Sequence, residues 1–481
     1  MYKGYELTIG LEIHAELATA SKIFCSCSTA FGSKPNTHCC PVCMGFPGTM
    51  PVLNKKALRL AVKAGLVTDC RISPVVKFDR KHYSYPDLPK AYQITQYDTP
   101  LCMGGTVSIP TEEGAKSIRI TRIHMEEDAG KLLHRGEKGT LIDHNRCGIP
   151  LIEVVTEPDI RSADEAVAFL KTLRTLLLYA GVSDCKMQEG SLRCDVNLSV
   201  RKAGESSLGI RTEMKNLNSF TNIHKAIRAE YHRQVDELES GRPIRRETRR
   251  FDPSTGQTTL LRIKEKESDY RFLSEPDLPP FLLSADLVES LRGEIPPLPP
   301  QRMERYRENF GLSEYDSRLL TASPALASYF ESCASHTAHP KHLANLFTGE
   351  LFRLLPADIT AEDLSAAPAH LGYVATLLGE GKVNSTTAKK LLLAVWQEQA
   401  DPMELMQKEN LSRIDDISAL TAVVEAVLRE NPSMVSSYLG GKQTALKALM
   451  GACMAATKGK ADPVTLQKLL LQRLAIESTE A

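Results

Sequence analysis

GLEIHAEL, residues 10–17, sets two carboxylates and an imidazole at every second position near the start of the chain. Reading outward, Leu7, Ile9, Leu11, Ile13, Ala15 and Leu17 alternate with Thr8, Gly10, Glu12, His14 and Glu16. A period of two predicts a strand that packs one face into a core and carries Glu12, His14 and Glu16 in file on the other. Two readings of that file stand: the polar face of an ordinary strand, or a row of metal ligands. The strand alone leaves both open.

The same alternation recurs in SLRCDVNLSVR, residues 191–201, where Leu192, Cys194, Val196, Leu198 and Val200 face away from Arg193, Asp195, Asn197, Ser199 and Arg201. Between these strands a helix is predicted over 163–180, opened by Ser162 with Glu165 three residues on and closed near Gly181. Residues 1 to about 280 otherwise read as strands and turns with occasional helices. Dense proline in PDLPP (276–280) and IPPLPP (295–300) ends regular structure. Beyond it the spacing turns helical, as in LANLFTGELFRLL (343–355), with a weaker break at QADP (399–402). The expected class is α+β: a β-rich domain over 1–294, a helical domain over 295–408 and a helical tail over 409–481.

Fifty-nine basic residues balance 59 acidic ones, so any polyanion site must be a local patch. From 440 to 481 six Lys or Arg face three acids, a small basic excess. No apolar run approaches the roughly 20 residues that span a bilayer. The first strand begins almost at once, without room for a targeting peptide, so a cytoplasmic protein without membrane attachment is expected.

Of twelve cysteines, seven are scattered singly and suit buried positions. The rest cluster in FCSCSTAFGSKPNTHCCPVC, which gives Cys25-x-Cys27, twelve residues, then Cys40-x-x-Cys43, with His38 and Cys39 alongside. Two close thiolate pairs across a loop are what tetrahedral zinc requires. Four protein ligands leave no open position, so such a zinc is structural.

Carboxylates also close other strands. IHMEEDAGK (123–131) ends in Glu126, Glu127 and Asp128; IPLIEVVTEPD (149–159) carries Glu153 and Glu157; RTEMKNLNSF (211–220) offers Glu213 and Lys215. Magnesium takes oxygen ligands from several segments and shares them with phosphates. A sheet carrying Glu12, His14, Glu127 and Glu153 on one surface would supply them, with Arg193 and Lys215 placed to neutralise phosphate. KFDRKHYSYPDLPKAYQITQYD (77–98) interleaves basic residues and tyrosines, which suits a single-stranded nucleic-acid end, a nucleotide, or a packed polar loop. GRPIRRETRRFD (241–252) is either a phosphate-facing strip or a solvated face. There is no Walker loop, dinucleotide fingerprint or nucleophile elbow. ATP, if used, must lie on a sheet.

Taken together GLEIHAEL, the cysteine knuckle, FDRKHYSYPDLPKAYQITQYD, ITRIHMEEDAGK, PLIEVVTEPDIRS, EGSLRCDVNLSVR, MKNLNSF, ETRRFD and the tail's ATKGKADP resemble, in order, the B-subunit family of the glutamine-dependent aspartyl/glutamyl-tRNA amidotransferases. The resemblance implies a ligase. ATP activates the side-chain carboxylate of Glu or Asp mischarged on tRNA(Gln) or tRNA(Asn), and ammonia from a partner amidase (the A subunit) displaces phosphate; a small C subunit completes the heterotrimer. It implies a first domain resembling the glutamine synthetase and guanidino kinase catalytic fold, and a helical tail that contacts tRNA. It places the magnesium site on His14, Glu127 and Glu153, with Glu12 beside them, and zinc on Cys25, Cys27, Cys40 and Cys43. Arg193, Asp195, Glu213 and Lys215 are assigned to ATP from charge and strand parity. YRFLSEPD (270–277) departs from the family, which commonly has an aromatic and a proline at Leu273 and Ser274. A competing expectation is a non-catalytic subunit that only docks tRNA.

Overall fold

The computed structural model describes residues 1–481 except 137–138, 264–269, 357–358, 410, 412–415, 458 and 481, and except the side chains of 477–480. The chain forms two compact units, Met1–Leu298 and Pro299–Ala481. It is mixed α/β, with one large sheet and many helices.

Among the described residues the main sheet of the first unit has ten strands. Its main members are β1 (Tyr5–Glu16), β2 (Gly114–Glu127), β3 (Pro150–Thr156), β4 (Leu192–Lys202), β5 (Thr212–Leu217), β6 (Glu247–Asp252) and β7 (Gln257–Ile263). They lie in the order β7-β6-β5-β4-β1-β3-β2, extended beyond β2 by Cys102–Met103 and Arg71–Ile72. Only β5 and β6 run parallel among these main pairs.

β1 lies at the middle of this order, between β4 and β3. Ile9, Leu11, Ile13 and Ala15 are buried, facing Leu198, Val196 and Cys194 of β4 and Val154 and Ile152 of β3 in register. Helices α1 (Lys55–Leu66), α2 (Ala163–Tyr179) and α3 (Phe220–Glu239) supply Leu58, Phe169, Leu173, Ile223 and Ile227 to the same apolar cluster. One face of the sheet is thus a helix-covered core, and the other keeps the polar file.

α2 begins where the sequence marks it. Ser162 Oγ accepts from Glu165 N at 3.1 Å, and Gly181 follows the helix at φ +64°. The Glu165 carboxylate, however, takes the amide of Arg161 (2.7 Å) and Lys116 Nζ (2.7 Å), so only half of a reciprocal capping box forms. The arginine-rich stretch is partly internal. Arg249 reaches Glu247 (2.6 Å) and the fully buried Glu230 of α3 (3.4 Å), tying β6, next to the edge strand, to that helix.

The described part of the second unit is helical and holds, among its described residues, two apolar clusters, one running from Tyr306 to Val395 and one from Leu420 to Leu474. No helix among the described residues is long and apolar enough to cross a membrane.

Candidate functional site

Register on the open face decides what meets. His14 stands opposite Glu153 of β3 and Arg193 of β4, and Glu12 stands opposite Asp195. On β2, His124 is opposite Glu153, which puts Glu126, two residues on, on the same side. His14 Nε2 lies 3.2 Å from Glu153 Oε2 and 3.9 Å from Glu126 Oε2. One ligand atom from each of His14, Glu126 and Glu153 falls within 4.8 Å of the others. Glu126 is held in place by Thr95 Oγ1 (2.9 Å), Gln93 Nε2 (3.2 Å) and His124 Nε2 (3.2 Å).

The expected partner Glu127 does not join this group. Consecutive strand residues face opposite ways, so Glu127 turns from Glu126's side to accept from Ile94 N (2.8 Å) and from the buried Lys90 ammonium. The group that converges is His14–Glu126–Glu153, with the expected Glu127 outside it. The signal that would have found it was parity with His124.

A second carboxylate group adjoins the first. Glu12, Asp195 and Glu213 also bring one oxygen each within 4.8 Å of one another. Lys215 Nζ bridges Asp195 Oδ2 (2.6 Å) and Glu213 Oε1 (3.3 Å), and Asn197 Nδ2 donates to Glu12 Oε1 (2.9 Å). Arg193, opposite His14, donates to Asp128 Oδ2 at 2.7 Å.

The electrostatics fit a place for positive charge. Burial opposes ionisation of Glu126, yet the His124 ring, Lys81 and His14 hold its carboxyl well below the usual range. Burial and Glu126 likewise push Glu153 up, but its hydrogen bond to His14 and the two imidazoles bring it down. Burial disfavours the His14 imidazolium, and Glu153 and Glu126 outweigh it, raising its pKa. Glu12 is pushed up, first by burial and then by Glu153. The donor set, with one buried carboxylate, one half-buried carboxylate and one imidazole converging, suits a divalent cation.

Cys25, Cys27, Cys40 and Cys43 converge to within 4.8 Å, whereas Cys39 stays outside the group. Sequence reasoning passed over Lys22, whose side chain is fully buried. Its ammonium lies 3.7 Å from Cys43 Sγ and 3.2 Å from His144 O. A buried ammonium against sulfur favours thiolate, the form that ligates zinc.

The basic and tyrosine-rich loop is largely committed internally. Arg80 makes two hydrogen bonds of 2.8 Å to the buried Glu275 and stacks over Tyr92, while Tyr85 and Tyr97 remain exposed. Leu273 and Ser274 pair with Arg80 and Asp79 as a short strand.

Comparison with known proteins finds two family models along the chain. Residues 7–289 match the model described as the GatB/GatE catalytic domain, and residues 328–474 match the GatB domain. The chain is 49% identical to the B subunit of the aspartyl/glutamyl-tRNA(Asn/Gln) amidotransferase of Caldicellulosiruptor saccharolyticus, covering 98% of this chain and 99% of that one. The proteins of the same name from Agathobacter rectalis and Carboxydothermus hydrogenoformans are 46% and 45% identical, each over 98% of this chain and at least 99% of their own.

Proposed function

The chain belongs to the B-subunit family of the aspartyl/glutamyl-tRNA(Asn/Gln) amidotransferases, and from that premise we propose how its first unit works. It is a ligase subunit of translation, working in the cytoplasm on misacylated tRNA, in a complex with an amidase (the A subunit) and a small C subunit. The side-chain carboxylate of the mischarged Glu or Asp attacks the γ-phosphorus of ATP, and ADP leaves. Ammonia delivered by the partner amidase then attacks the acyl carbon, phosphate leaves and a proton is lost, giving Gln-tRNA(Gln) or Asn-tRNA(Asn).

The convergence of His14, Glu126 and Glu153 beside the Glu12–Asp195–Glu213 group carries this reading. These residues fit magnesium, and His14, Glu126 and Glu153 would hold it. Bound there, the ion neutralises phosphate charge, the main need of a phosphoryl transfer. Lys215, already against Asp195 and Glu213, holds a positive charge where phosphate oxygens would pass. Arg193, fixed by Asp128, supports the strand end next to His14. No nucleophile from the protein is needed. We read the large sheet, with its helix-covered back and acidic front, as the cradle expected of the glutamine synthetase and guanidino kinase catalytic fold. The four cysteines hold zinc as a structural clamp, with the buried Lys22 balancing its sulfur charge. The helical part over 295–408 and the tail over 409–481 are read as separate domains, the tail contacting tRNA.

The test is Glu126→Gln in the reconstituted complex, assayed for ATP-dependent phosphorylation of Glu-tRNA(Gln) and Asp-tRNA(Asn). Loss of phosphorylation with tRNA affinity intact supports the reading. Normal phosphorylation would leave only a tRNA-docking role.

A further inference from the structure

Part of the basic and tyrosine-rich stretch forms a continuous row of rings. Its frame is a separate three-stranded sheet, Leu273–Ser274 beside Asp79–His82 beside Tyr92–Thr95. Gln93 and Thr95 of the last strand donate to Glu126, so this small sheet abuts the cation group. Lys81 stands opposite Gln93 in register and shares its side. From there the rings run on. Tyr83 lies 6.0 Å from Tyr270, Tyr270 6.1 Å from Phe272, and Phe272 3.8 Å from Tyr97, centroid to centroid.

Three observations separate this row from ordinary packing. Tyr97 and Phe272 are stacked, 8° from parallel, yet Tyr97 is 60% exposed. Packed aromatic pairs favour offset or edge-to-face contact with their centroids farther apart, whereas an exposed ring face is what a nucleobase stacks on. Arg271, between Tyr270 and Phe272, has φ +46°, a left-handed conformation that arginine rarely adopts. His82 fixes it there, its amide donating to Tyr270 O (2.9 Å) and its Nδ1 lying 2.8 Å from Arg271 O. Strain retained in this way collects at functional sites. Lys81 Nζ lies 5.0 Å from the Tyr270 ring and 5.9 Å from that of Tyr83, placing positive charge alongside the row. Aromatic faces flanked by a cation complement the bases and phosphates of a single-stranded nucleic-acid end.

We propose that this row seats the 3′-terminal nucleoside of the misacylated tRNA, its base stacked on Tyr97, with Lys81 supplying the positive charge its backbone requires. The inference rests on the reading that His14, Glu126 and Glu153 hold the cation of a phosphoryl transfer. An in-line transfer sets the attacking carboxylate and the leaving ADP on opposite sides of the phosphorus. Lys215 and the Glu12–Asp195–Glu213 group extend from the cation group toward β5, and the aromatic row adjoins it at β2. ADP thus departs on the β5 side, and the aminoacyl end enters from the other. Tyr97 follows Thr95, whose hydroxyl touches Glu126, by two residues, about 7 Å of chain at most. The amino acid is esterified to the terminal ribose, so a base held at Tyr97 leaves its side chain to span the gap to the cation.

Tyr97→Ala and Tyr97→Phe in the reconstituted complex test this, and the exposed side chain can be removed without opening a core. Tyr97→Ala should raise the KM about tenfold for whichever of Glu-tRNA(Gln) and Asp-tRNA(Asn) the complex accepts, because the 3′ end is common to all tRNA. The KM for ATP should hold, and Tyr97→Phe, which keeps the ring, should behave as the unaltered protein. A second measurement compares uncharged tRNA with the same tRNA lacking its 3′-terminal nucleotide. That truncation should weaken binding to the unaltered complex about tenfold and add almost nothing to the defect of the Tyr97→Ala complex. An unchanged KM for tRNA in Tyr97→Ala overturns the proposal. A rise in the KM for ATP, alone or of equal size, does so too, because the row would then hold the base of ATP. So does a Tyr97→Phe complex as impaired as Tyr97→Ala, or a truncation that costs both complexes equally. Glu126→Gln separates the two readings. If it leaves phosphorylation intact while Tyr97→Ala raises the KM for tRNA, the cation assignment fails and the stacking platform stands.

Discussion

The two candidate metal centres are built in opposite ways. The thiol group draws all four ligands from residues 25–43, and its spacing alone brings them together. The carboxylate and imidazole group draws one ligand each from β1, β2 and β3, and only strand register decides which residues meet. A local site is written in spacing, whereas a dispersed one is written in parity, and a shift of one residue exchanges its members. Glu126 and Glu127 are adjacent in sequence and lie on opposite sides of the sheet.

That contrast is most sharply broken or upheld at these two glutamates. Glu126→Gln should lower the turnover of phosphorylation by about a hundredfold or more while the unfolding midpoint holds. Glu127→Gln should do the reverse first. It leaves the Lys90 ammonium, 7% exposed, buried without its carboxylate. Thermal or urea unfolding should then show a loss of about 3 kcal/mol. Equal effects of the two substitutions on turnover at preserved stability would erase the distinction.

At the thiol group, Lys22→Met should weaken zinc about ten- to hundredfold, as a residue supporting a ligand does. Competition with a chromogenic chelator measures this, and the KM for ATP should stay unchanged if the zinc is purely structural. The smallest effect is expected in the tail. Replacing the exposed Lys442, Lys447 and Lys468 by alanine should flatten the salt dependence of tRNA binding by about one unit of slope for each phosphate no longer neutralised. A wholly unaltered slope would remove those lysines from the interface.

The strand alternation of 7–17 and 191–201, the Ser162 cap and the cysteine spacing were legible in sequence because each is a short-range pattern. What was not legible depends on remote partners. The run Glu126-Glu127-Asp128 offers three acids, and choosing among them needs the pairing of His124 with Glu153. Lys90 and Lys22 look like surface lysines until Glu127 and Cys43 are seen beside them. Arg249 read as part of a basic strip, yet its counter-charge, Glu230, lies on α3.

The central claim is that His14, Glu126 and Glu153 jointly hold one divalent cation. Mn2+ in place of magnesium, with ATP and the assembled complex, makes this directly measurable by electron spin echo modulation. The account predicts nitrogen modulation from an imidazole that vanishes in His14→Ala, and Mn2+ affinity weakened by Glu126→Gln and Glu153→Gln. Bound Mn2+ without nitrogen coupling, or with an affinity indifferent to Glu126→Gln, would contradict it.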